Sequence, residues 1–143
     1  WLISGTCLLA FGYAGHLVAS LLVQPEMRLS VPHTMMVMAN LGAVYLAVGS
    51  FAFLVSAMSD RRGRAIGVVF ALMLASFLLN FLAQFQDWAK SISWLSFMNY
   101  YRPAIIIQTG LFPWVDVGIL LCLAMTFWVA SGLTFKMRSI CTV

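Results

Sequence analysis

Few side chains in this sequence could do chemistry, and their spacing narrows what that chemistry is. The densest group is Asp60-Arg61-Arg62-Gly63-Arg64. An acid beside three guanidinium groups can cap a helix end, form a solvated ion pair, or meet a partner protein in the aqueous phase. His16 and His33 are the two histidines. His16 lies about 10 Å inside the outer end of its apolar run and His33 falls at an outer turn. Their depths do not match for one shared haem iron, so a helix-contact or interfacial role is expected of them. Cys7, Cys122 and Cys141 show neither CxxC nor CxxH spacing, which indicates no zinc site and no redox pair. Serine, histidine and acid residues never reach a common depth as a trio, so hydrolase chemistry has no support. A phosphate-binding loop of the Walker type is absent, and any ATP chemistry would belong to a partner. No catalytic, cofactor-binding or metal-binding residue is expected.

The elements that position these residues are set by composition. Apolar residues make up 63% of the 143 residues and charged ones 8%, against about 45–50% and about 25% in a soluble domain. A water-soluble chain of this length could not hide so much apolar surface, so the sequence specifies an all-α, polytopic membrane protein. The net charge of +4 sits at loops. It reads as orientation and lipid-headgroup contact, with no nucleic acid as partner.

Four spans are expected as a single transmembrane domain, at about residues 1–23, 34–58, 65–85 and 115–135. Each is long enough for a hydrocarbon core of about 30 Å. Small residues recur at helical spacing as Gly15-xxx-Ala19, as Ala39, Ala43 and Ala47, and as Gly67, Ala71 and Ala75. Such stripes let helices approach closely. In the third span about a dozen strongly apolar side chains contribute about −4 to −7 kcal/mol to insertion. That carries Ser76, Asn80 and Gln84. Asn80 and Gln84, four apart, could line a pathway or hydrogen-bond a neighbouring helix. Asn40 stands near the outer end of the second span.

Residues 86–114 differ in kind. They are too polar to span, yet hold Trp88, Trp94, Phe97, Tyr100, Tyr101, Phe112 and Trp114. Aromatic residues with a polar edge gather at the membrane boundary. Pro103 followed by Gly110 frames a short helix. The region is expected to form one or two short helices that lie in the interface or dip back into it. Tyr100, Tyr101 and Arg102 are candidates for shaping a gate, with interface anchoring as the plainer role for the tyrosines.

Orientation follows from the basic residues. Each arginine at a bilayer centre costs about 2.5–3.5 kcal/mol, so Arg61, Arg62 and Arg64 must lie in water, and short basic loops favour the cytoplasmic side. With loop 59–64 inside, Lys136, Arg138 and the C-terminus are inside too, while 24–33 and 86–114 are outside.

The order of parts resembles the C-terminal half of the membrane subunit of type-2 ABC exporters. The resemblance rests on Phe53-Leu54-Val55-Ser56-Ala57-Met58-Ser59 leading into Arg61-Arg62-Gly63-Arg64-Ala65, then Ser76-Phe77-Leu78-Leu79-Asn80-Phe81. Trp94-Leu95-Ser96-Phe97-Met98-Asn99-Tyr100-Tyr101-Arg102-Pro103 follows, then Gly110 with Trp114, and Phe135-Lys136-Met137-Arg138-Ser139-Ile140-Cys141. It covers roughly residues 40–143. It implies that the four spans are the third to sixth of six, with two helices expected upstream of Trp1. It also implies a permease in the cytoplasmic (inner) membrane that pairs with a second permease half, as homodimer or heterodimer. Cytosolic ABC ATP-binding subunits would use ATP and Mg, and Asp60, Arg61, Arg62 and Arg64 could contact them. The rival expectation is a non-transporting anchor subunit of a larger membrane complex. The two readings diverge at residues 86–114: a gate is tucked against helices at membrane depth, whereas an anchor could leave the segment flat on the surface.

Overall fold

A computed structural model describes residues 1–22, 30–59 and 62–137, with Arg62 described in its backbone alone. Four long helices form the body: α1 (Leu2–Leu22), α2 (Val31–Met58), α3 (Arg62–Leu82) and α6 (Trp114–Met137). Between α3 and α6 lie α4 (Asp87–Ile92), two 3₁₀ turns at Ser93–Leu95 and Phe97–Tyr100, and α5 (Pro103–Thr109). The described residues contain no strand.

All four long helices are apolar and long enough to cross a membrane. At 1.5 Å per residue, α1 and α3 reach about 31 Å and α2 about 42 Å. The chain exposes 10218 Å², whereas a compact water-soluble protein of 15.8 kDa would expose about 7,300 Å². Much of the excess is leucine, isoleucine and aromatic surface, including Phe11, Phe70, Trp128 and Phe135. Lipid is the solvent that makes such a surface stable. The protein is therefore an all-α polytopic membrane protein.

The core is the α2–α6 seam, where the two helices run parallel. Ala43, Val44 and Ala47 of α2 are buried against Leu120 and Ala124 of α6, and lower down the Phe51 and Phe127 rings meet at 5.4 Å. Two of the three alanines in the α2 stripe thus do what their spacing suggests, while Ala39 is exposed.

The other two stripes are not covered among the described residues. Gly15 and Ala19 are exposed, as are Gly67, Ala71 and Ala75. Helix α1 docks instead through glycines and aromatics. Gly5 is buried beneath the Tyr45 ring, and the Trp1 ring lies on Gly49. Trp1 stacks on Tyr45 at 5.6 Å, meets Phe53 edge-on at 5.2 Å, and accepts a bond from Tyr45 Oη through its carbonyl. Near the start of α2, His16 Nε2 lies 2.9 Å from Thr34 Oγ1. Both histidines therefore act as helix contacts: His33 bonds Ser30 through Nδ1 and lies against Gly110.

Helix α2 begins three residues earlier than its hydropathy suggests, because Pro32 in the first turn supplies a helical φ and lacks only an N–H that would be unpaired anyway. Helix α3 likewise begins at Arg62, so Arg62 and Arg64 belong to its first turn rather than to a loop. Asp60, Arg61 and the tail from Arg138 lie outside the described residues.

Candidate functional site

The segment between α3 and α6 folds back into the bundle. Its shape follows from its own sequence. Pro103 opens α5, and Gly110 closes it in the left-handed conformation (φ 67°), donating its N–H to Ile106 O at 2.9 Å. Ile106, fully buried, faces inward. Upstream, Ser96 breaks the chain into two 3₁₀ turns by adopting an extended conformation and capping the second with its hydroxyl.

Ser96 is also the deep anchor. It is fully buried against Ser76, which lies six residues, about 9 Å, before the C-terminal end of α3. Ser96 Oγ donates to Ser76 O at 2.8 Å, and the two hydroxyls lie 2.9 Å apart. Phe97 N–H donates to Ser76 Oγ at 3.0 Å, and Met98 N–H to Ser96 Oγ at 3.2 Å. The Phe97 ring reaches 6.2 Å from that of Phe51, twenty residues along α2. Phe97, Tyr100 and Tyr101 all pack on the α2–α6 core.

Irregular backbone at this depth is tolerable only if its polar groups are met by protein, and several of them are. Asn40 Nδ2 donates to Tyr100 O at 3.1 Å, Tyr100 Oη to Trp94 O at 2.9 Å, and Arg102 Nε to Asn99 O at 3.1 Å. Asn99 N–H and Tyr101 N–H close local bonds to Ser96 O and Met98 O, each at 3.1 Å. One atom is left over. Asn40 Oδ1 is the single buried side-chain polar atom without a partner among the described residues.

The sequence candidates divide accordingly. Tyr100, Tyr101 and Arg102 come together at the end of this segment nearest the start of α6, where Arg102 Nε also lies 3.5 Å from Asp116 Oδ2. Asn80 is half-buried one turn beyond Ser76, and Gln84 is exposed in the turn after α3 ends. Neither side chain makes a hydrogen bond among the described residues. Because α3 stops at Leu82, the two do not form one polar stripe. Arg64 is exposed at the opposite end of the bundle.

Sequence reasoning assigned no site role to Asn40, Ser96 or Asp116. Only Asn40 carried a signal, as the lone amide in the apolar run of α2.

Helices α1 and α6 both lean on α2, on either side of a cleft. They leave an open groove of about 590 Å³ lined by Trp1, Leu46, Phe53, Met125 and Trp128. It offers almost no polar surface. Comparison with protein-family models, with curated proteins and with solved structures finds no match for this chain.

Proposed function

We propose that this chain is a permease subunit of an ATP-driven ABC exporter, moving substrate across the cytoplasmic membrane by alternating access. The observation that carries the reading is the depth of residues 93–102. An anchor has no need to insert a 3₁₀ segment among its spans and satisfy its backbone group by group, whereas a transporter needs an irregular element at membrane depth that can move. Tyr100, Tyr101 and Arg102 form the outer gate, and Asn80 stands on the α3 face beside it.

Two further observations support a second permease half. The main grooves among the described residues are lined almost entirely by apolar side chains, which favours a route between two halves. The exposed Gly67, Ala71 and Ala75 face leaves a smooth surface for close helix contact. ATP and Mg belong to the ATP-binding partner, which would meet Arg62, Arg64 and the adjacent Asp60 and Arg61 on the cytoplasmic side.

Co-purification tests this. An ATP-binding subunit should accompany the intact protein from membranes, and the ATPase rate should respond to transported compounds. If no such subunit is found and the rate ignores every candidate substrate, the chain is an anchor.

A further inference from the structure

The re-entrant segment is fastened at two heights, and the fastenings differ in kind. The deep one, Ser76 with Ser96, is saturated: both hydroxyl protons are donated, and both oxygens accept a backbone N–H. The shallow one is half-made. Asn40 is fully buried and spends its amide on Tyr100 O, while its Oδ1 has lost water and gained nothing. Turning the amide over does not help, because it would set Oδ1 against Tyr100 O, acceptor facing acceptor. A buried acceptor in that condition offsets most of what the neighbouring bond contributes.

The two heights are distinct along the bundle. Helices α2 and α3 are antiparallel, with Ala52 and Ser56 lining one groove together with Ala65 and Val69. That register sets Ser76 level with Tyr45, about 7 Å deeper than Asn40. Above Asn40, the segment is held by i→i+3 bonds of 3₁₀ geometry, by Tyr100 and Tyr101 packed on the α2–α6 core, by the buried Ile106 of α5 beyond it, and by Arg102, whose contact with Asp116 is partly open to solvent.

We infer that residues 96–102 are a lid hinged at Ser96 and latched at Asn40. The lid lifts from its Tyr100 end while Ser76 and Ser96 stay joined. Lifting admits water to Asn40 Oδ1, the unmet buried side-chain acceptor among the described residues, and so offsets part of the cost of opening. Its role as the outer gate rests on the permease reading, but its mechanics do not.

Hydrogen exchange on the intact protein in lipid nanodiscs, resolved along residues 93–102, tests the lid. Asn99 and Tyr101 amides should exchange faster than those of Phe97 and Met98 by about tenfold. Asn40→Asp replaces the latch's only donor with an acceptor at constant shape. It should speed Asn99 and Tyr101 by a further tenfold or so and leave Phe97 and Met98 unchanged. Equal exchange at all four amides in the wild type overturns the hinge. So does an Asn40→Asp protein in which all four rise together or none rises. Should that variant fail to fold, the wild-type gradient decides alone. A gradient in a protein that no ATP-binding subunit accompanies keeps the lid and removes the exporter. A uniform profile in one that such a subunit does accompany does the reverse.

Discussion

Gly110 is the residue on which the geometry of α5 turns. Its φ of 67° is open to glycine at little cost, and a Cβ there would stand 2.9 Å from His33 Nε2. Gly110→Ala should therefore destabilise the intact protein by about 1–2 kcal/mol, read from thermal unfolding in detergent. Gly15→Ala is its control: nothing lies within 4 Å, and removing a mid-helix glycine should be neutral or stabilising by up to about 1 kcal/mol. Ser76→Ala strands the Phe97 N–H and should cost about 1–3 kcal/mol. Arg102→Gln should cost under about 1 kcal/mol, since the guanidinium side chain is 42% exposed and its ion pair is screened. Both are measured by the same unfolding experiment. Proline before and glycine after a short apolar run announced α5 in the sequence, because both residues act through their own φ. The pairing of Ser76 with Ser96 was not legible there. A serine's value depends on which backbone is brought to it, and these two are twenty residues apart.

At the scale of elements, helix contact is decided by shape. Three small-residue stripes have the spacing for close approach, yet α1 uses none of its own stripe. It docks where flat rings can lie on bare backbone: Tyr45 on Gly5 and Trp1 on Gly49. A Cβ on Gly5 would meet the Tyr45 ring at 2.1 Å, so Gly5→Leu should push α1 off α2, at an overpacking cost of about 1–3 kcal/mol. Leu9 and Gly42 are neighbours across that contact, with Leu9 Cδ1 3.6 Å from a Cβ built on Gly42. A cysteine pair at these two positions should be bridged by a short thiol cross-linker in the parent protein. The bridge should be lost when Gly5→Leu is added. Persistence of the cross-link would show that α1 is held elsewhere.

For the whole molecule, the antiparallel path of α2 and α3 puts Gly63 at one end of the bundle and Ser91 at the other. Gly63→Cys should be shielded from impermeant thiol reagents in intact cells and Ser91→Cys labelled. The opposite pattern would reverse the threading and put the lid on the cytoplasmic side.

The sequence by itself determined that four apolar helices are long enough to span a membrane, and that residues 86–114 differ from them in kind, although the helix ends moved by about three residues. Those properties are sums over neighbouring residues: a run of apolar side chains without charge has one stable environment, and a cluster of arginines has another. Tertiary structure alone decided which small faces are covered, how deep Phe97 reaches, and that Asn40, rather than Asn80 or Gln84, holds the returning chain. These depend on two surfaces arriving at the same depth with matching shape and hydrogen-bonding groups. Local spacing carries no information about that meeting.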